Sequence, residues 1–200
     1  MIELYIQKYL FTHEKKDVGH DVAYSLLERL CNEKIGTYQV KIEKDENEKP
    51  YFPEDIDGVK YYFSISHSNG YAAVLLTDLC ECGVDIEPQM TKERAKRVND
   101  RFLSDDFEID KYDGEIIPTL IGFNDDVSIS FDLDSDETSK FATEKWTTLE
   151  ALLKADGRGF TAFSQRHNIV KQMCTGALRL IDGDKNVYVA LALKDKAVTN

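Results

Sequence analysis

The chain has 200 residues, 42% of them hydrophobic and 31% charged, with a net charge of −12. That is a folding composition, long enough for one large domain or two small ones, and its acidic balance excludes general binding to nucleic acid or to an anionic membrane surface. The longest apolar run, residues 187–193, is only seven residues, too short to span a bilayer.

Residues 1–7 alternate apolar and polar side chains, as an edge strand does, and lack the basic start and apolar stretch of a secretory signal. A cytoplasmic location is therefore expected. Beyond Lys15, Lys16 and His20, the residues Val22, Leu26, Leu27, Leu30 and Cys31 recur at helical spacing, and Gly36 supplies a stop. Residues 43–58 are charged, contain Pro50 and Pro53, and read as loop with short extended pieces.

Three strands are expected next. Residues 61–66 alternate, with Phe63 and Ile65 on one face and Tyr62, Ser64 and Ser66 on the other. Asn69-Gly70 suits a hairpin turn, residues 72–76 are apolar on both faces like a central strand, and residues 82–87 alternate up to Pro88. A helix follows over 91–103, with Ala95, Val98 and Phe102 inward and Arg94, Arg97 and Arg101 as a basic stripe.

Residues 104–140 contain twelve acidic and two basic side chains, so most of the net charge lies there. This segment is expected to be peripheral. Residues 141–156 form a second helix with Trp146, Leu149, Leu152 and Leu153 inward and Gly157 at its end. Residues 168–181 and 187–193 read as closing strands. The fold class is α+β, with mainly antiparallel sheets and packed helices. The order of elements gives two similar halves, 1–80 and 81–200, the second carrying the acidic insertion at about 104–140. Cys31, Cys80, Cys82 and Cys174 are read as reduced thiols, because Cys80-Glu81-Cys82 is too tightly spaced for a zinc knuckle.

The residues with chemical potential fall in three places. Asp85 and Glu87 stand two apart on a strand, so both leave the same face of the sheet, away from the core that Val84 and Ile86 enter. Two such carboxylates repel unless a cation lies between them. Oxygen ligands of this kind suit magnesium, and a solvated sheet face accounts for them equally. Glu150 and Lys154 share one face of the tryptophan helix, either as a surface ion pair or as a third metal ligand with a phosphate contact. Ser64-Ile65-Ser66-His67-Ser68 ends a strand beside a turn and offers hydroxyls and an imidazole to a phosphate.

Taken together and in this order, these elements resemble the 4'-phosphopantetheinyl transferases, in particular the longer pseudo-dimeric type that activates peptide and polyketide synthetases. The resemblance is carried by Lys49-Pro50-Tyr51-Phe52, Phe63-Ser64-Ile65-Ser66-His67-Ser68 and Gly83-Val84-Asp85-Ile86-Glu87. It continues through Ala95-Lys96-Arg97-Val98, Arg101-Phe102, Trp146 with Glu150-Ala151 and Lys154, and Gly157-Arg158-Gly159-Phe160. Leu149 stands where the family usually has lysine. As the last turn of the Trp146 stripe is read, Leu149 lies at the edge of the buried face.

The resemblance implies two halves related by a pseudo-twofold axis. It implies that Asp85, Glu87 and Glu150 hold magnesium on the diphosphate of coenzyme A, with Lys154 on the same phosphates. Lys49, Ser66 and His67 would bind the 3'-phosphate end, assisted by Lys15, Lys16 or His20. Phosphopantetheine would pass to a serine of an apo acyl or peptidyl carrier protein, with Glu150, and after it Glu87, as the base, releasing adenosine 3',5'-bisphosphate. The arginine stripe would face an acidic carrier, and a monomer is expected. Two other readings use the same residues: a non-catalytic relative that binds coenzyme A or a carrier, and a magnesium-dependent nucleotide-binding protein of another kind.

Overall fold

The computed structural model describes residues 1–10, 18–37, 39–103, 119–121, 127–130 and 138–194. The strands are β1 (Ile2–Lys8), β2 (Glu43–Lys44), β3 (Pro50–Tyr51), β4 (Tyr62–Ser68), β5 (Tyr71–Thr77), β6 (Cys82–Pro88), β7 (Thr119–Ile121), β8 (Val127–Ser130), β9 (Met173–Asp182) and β10 (Lys185–Lys194). The helices are α1 (Gly19–Ile35), α2 (Lys92–Phe102), α3 (Thr138–Asp156) and α4 (Arg166–Val170), with a 3-10 turn at Gly159–Gln165. Of the acidic segment, only β7, β8 and the start of α3 fall within the described residues, so its expected peripheral position lies largely outside them.

Two four-stranded sheets run in the orders β4-β5-β1-β7 and β6-β10-β9-β8. They pack face to face. Leu4, Ile6, Ala73 and Leu75 from the first meet Val84, Ile86, Leu178, Val189 and Leu191 from the second in one dry core. The outer face of the first sheet is covered by α1 through Leu26, Leu27 and Leu30 against Val74 and Leu76. The outer face of the second is covered by α2 and α3 through Ala95, Val98, Leu149, Leu152 and Leu153. The result is four layers, helix–sheet–sheet–helix, each burying one apolar face.

This layering explains why β5 is apolar on both sides: Ala73 and Leu75 face the second sheet while Val74 and Leu76 face α1. It also corrects the expectation for β1. That strand pairs antiparallel with β5 and parallel with β7, so it is internal and not an edge. Its polar face survives burial because α1 lies over it with partners: Tyr5 Oη donates to Glu33, and Lys34 Nζ lies 3.4 Å from Glu3.

Within each sheet the same local order recurs. One strand of each sheet (β1 or β6) pairs antiparallel with the last strand of a hairpin (β4-β5 or β9-β10). The β4–β5 turn uses Asn69 at φ 44° and Gly70 at φ 96°, the two left-handed positions of a tight hairpin turn. At the end of α1 Gly36, at φ 79°, donates its N–H to Asn32 O, and Thr37 N–H donates to Cys31 O. The stretch from residue 168 read as strand begins instead with the end of α4, and β9 starts at Met173. Arg166, Asn168 and Lys171 interrupt any run of alternation there, and Ile169 anchors the helix in the core.

Candidate functional site

The site forms where two edge strands, β4 and β6, run side by side at the rim of the sheet pair. An edge strand leaves amides without ladder partners, and β4 provides for β6 with hydroxyls. Ser64 Oγ accepts the Val84 N–H at 3.0 Å, Ser66 Oγ donates to Asp85 Oδ1 at 2.7 Å, and Ser68 Oγ donates to Glu87 Oε2 at 2.9 Å. These three serines share the face that alternation assigns to Ser64 and Ser66.

Beneath β6 lies α3, unusually close. A Cβ on Gly83 would overlap the Ala151 carbonyl oxygen and come within 2.6 Å of Ala155 N. Gly83 is therefore required by the helix passing over it, and Ala190 and Ala192 on β10 keep the neighbouring surface low. The approach brings α3 side chains to the carboxylates. Lys154 Nζ donates to Asp85 Oδ1 at 2.7 Å and to the Val84 carbonyl at 3.2 Å.

Asp85 and Glu87 do leave the same face, and that face is covered. Asp85 is only 2% exposed and Glu87 8%. This corrects the picture of carboxylates pointing away from packed structure: the face opposite Val84 and Ile86 is a second interior, roofed by α3. Asp85 Oδ2 is buried and receives no N–H or hydroxyl side-chain donor, and the raised Glu150 carboxyl shares a hydrogen bond with Asp85. Glu87 is engaged at both oxygens, with Arg94 Nη2 donating to Oε1 at 2.9 Å and Nη1 to Oε2 at 3.3 Å. So Arg94 turns inward to Glu87, while Arg97 and Arg101 remain exposed. The basic stripe does not act as a single surface.

Half-buried Glu150 completes the group. Burial raises its carboxyl from an ordinary value to about 8, the Asp85 and Glu87 charges add to the rise, and Lys154 opposes it. The three acids thus feel one another. Even so, among the described residues no three His, Cys, Asp or Glu side chains are gathered into a ready-made cation cage. The two facts agree once the resident cations are counted, because Lys154 and Arg94 each hold one carboxylate. The donor types are those a hard divalent cation takes: all-oxygen ligands, with Asp85 Oδ2 buried without an N–H or hydroxyl side-chain donor and a third carboxyl whose charge is disfavoured by its neighbours.

The remaining sequence-predicted residues lie elsewhere. Ser66 and His67 occupy opposite faces of β4. Ser66 faces Asp85, whereas His67 lies against the start of α1, where a Cβ on Gly19 would come within 2.5 Å of His67 Nδ1 and would overlap Tyr9 Oη. His20 is exposed on the first turn of α1, 4.6 Å between ring centroids from Tyr24. Lys49 Nζ pairs with Glu81 at 2.6 Å. Lys15 and Lys16 lie outside the described residues. Leu149 is fully buried beneath the sheet, inside the apolar stripe and not at its edge.

Sequence spacing offers the Ser64 and Ser68 hydroxyls to a phosphate, whereas in the structure they serve β6, and it gives Gly83 no part in the site. Signals for these roles existed: three serines on one face of a strand, and a glycine inside another strand.

With this geometry in place, residues 81–188 match the family model described as the 4'-phosphopantetheinyl transferase superfamily, just over half of the chain. The chain belongs to that superfamily. The matched span of the 4'-phosphopantetheinyl transferase model opens just before β6 and reaches into β10, so it contains Asp85, Glu87, Arg94, Glu150 and Lys154. No curated protein matches the chain. Among the described residues no helix is long and apolar enough to cross a membrane.

Proposed function

We propose that this protein transfers the 4'-phosphopantetheine group of coenzyme A to a serine hydroxyl of an apo acyl or peptidyl carrier protein, releasing adenosine 3',5'-bisphosphate. The observation that carries this reading is the buried cluster of Asp85, Glu87, Glu150 and Lys154, held together by two different secondary-structure elements within the span that matches the superfamily. The repeated strand order of the two sheets supports the long, pseudo-dimeric type.

Asp85, Glu87 and Glu150 would hold magnesium, which when bound neutralises charge on the diphosphate. Lys154 is fixed between β6 and α3 and a third exposed, so it can pass part of its charge to a phosphate without leaving Asp85. The serine oxygen forms the new bond to the phosphorus on the pantetheine side, the diphosphate bond breaks, and the serine proton needs an acceptor. Glu150 is the candidate, because it faces Asp85 and Lys154 in the site and magnesium, when bound, would favour its ionised, proton-accepting form. Glu87 is second, its oxygens being engaged by Arg94 and Ser68. His67 and His20 at the start of α1, with Lys49, are the candidates for the 3'-phosphate. Ser66 is assigned to Asp85 instead.

Incubating the protein with coenzyme A, magnesium and several apo carriers tests this directly. Mass spectrometry should show one phosphopantetheine added to a carrier serine. Failure with every carrier, combined with unimpaired coenzyme A binding, would favour the non-catalytic alternative.

A further inference from the structure

Of the three arginines on α2, one has a different fate, and the helix start fixes which. Thr91, extended at φ −64° and ψ 157°, caps α2 by accepting the Arg94 N–H on its hydroxyl at 3.2 Å. Ala95 and Val98 anchor the helix in the core. With the cap and the anchors set, the Arg94 side chain leaves α2 on the side of β6, and its guanidinium forks across both oxygens of Glu87. Ser68 takes the remaining approach to Oε2. Glu87 is thereby closed by a fixed cation and a hydroxyl, whereas Oδ2 of Asp85 has no N–H or hydroxyl side-chain donor and the Glu150 carboxyl is the further hydrogen-bonding neighbour of Asp85.

We propose that Arg94 is a resident counter-ion of the carboxylate pair, which a divalent cation must displace from Glu87, so that Arg94 sets the affinity of the site for metal. This rests on the metal-site reading given above. A guanidinium is permanently charged at any physiological pH, so near neutral pH a competing cation is what releases Glu87 from it. The ion pair is partly shielded, with Glu87 11% and Arg94 38% exposed at the side chain. The competition should therefore be measurable yet modest. A site balanced in this way stays folded without metal and binds the cation more weakly than its carboxylates alone would allow.

The probe is Mn2+ titrated into the full chain without coenzyme A, with free Mn2+ followed by electron paramagnetic resonance. Arg94→Gln and Arg94→Met should bind Mn2+ about threefold to tenfold more tightly than the wild type. Arg94→Lys, which keeps charge but loses the fork, should fall between them. The difference should shrink at high salt. Equal or weaker Mn2+ binding in both Arg94→Gln and Arg94→Met, with melting temperatures close to wild type, overturns the proposal. Asp85→Asn separates the two levels. If it weakens Mn2+ binding while the Arg94 variants do not tighten it, the metal site stands and the counter-ion role falls. If the wild type and every variant bind alike, both fall together.

Discussion

Lys154 and Asp85 join a helix to an edge strand: the ammonium lies 2.7 Å from Asp85 Oδ1 and also holds the Val84 carbonyl, which has no ladder partner on that side. The contact is at once structural and chemical. It fixes the height of α3 over β6, and it holds a positive charge at the mouth of an otherwise acidic site. Changes at either end should therefore show in stability as well as in turnover.

Asp85→Asn tests that double role. The amide keeps the shape and one oxygen that can accept from the Ser66 hydroxyl, but it carries no charge to balance Lys154. Transfer should be lost, and unfolding should become easier by about 1–3 kcal/mol, the usual cost of spoiling a buried charged hydrogen-bond set. Parallel urea denaturation and carrier-modification assays check this. Full stability together with full turnover would remove Asp85 from the site.

Gly83→Ala is expected to be worse than its size implies. The added methyl meets helix backbone, which cannot rotate away as a side chain can. A shift of α3 relieves the clash and lengthens the Lys154–Asp85 contact. Overpacking of this kind costs about 1–3 kcal/mol or more. A drop in melting temperature with reduced Mn2+ binding is the expected pair of results.

Leu149→Lys would restore the lysine usual in the family; from the sequence it is expected to raise transfer if that cation is catalytic, and to be neutral or harmful if Lys145 or Arg158 already covers the position. Burial selects the harmful outcome. Leu149 has no exposed surface and its neighbours are apolar. An ammonium held there would cost about 3–5 kcal/mol as an uncompensated buried charge. The variant should unfold at markedly lower urea, while Leu149→Met should stay close to wild type.

The pH dependence of stability isolates Glu150. Burial and the facing Asp85 and Glu87 raise its carboxyl from 4.5 to about 8 in the folded protein, against the opposing pull of Lys154. The folded state thus holds a proton that the unfolded state gives up. The resulting stability is complete below about pH 4.5 and is lost as pH rises toward 8. Melting temperature measured without metal should fall across this window more steeply in the wild type than in Glu150→Gln. Magnesium should oppose the fall. Identical slopes in the two proteins would show that Glu150 is not perturbed.

Much of this architecture was legible from residue spacing. Period-two alternation put Asp85 and Glu87 on one face and the β4 serines on another, and the Trp146 stripe set the rotation of α3. What spacing could not supply was depth. The burial of Asp85 depends on how closely α3 passes over Gly83, a distance between segments some seventy residues apart in the chain. The position of β1 was misjudged for a related reason, since its polar face looks solvent-facing until α1 brings Glu33 and Lys34 over it. Arg94 read as surface because helical periodicity groups it with Arg97 and Arg101; only the strand beside it distinguishes them.

The parallel pairing of β7 with β1 has a consequence for how the chain can be divided. The polypeptide visits the first sheet, crosses to the second at β6, returns to lay β7 beside β1, and crosses again to finish. A cut near residue 80 would leave each fragment short of what the other encloses. The N-terminal piece would lack a strand, and both would expose the apolar faces that now meet in the dry layer between the sheets. Expressed singly, the fragments should aggregate. Made together, they should assemble by complementation into a nicked but functional protein, and the carboxylate cluster would form only on assembly, because the hydroxyls serving β6 come from the other piece.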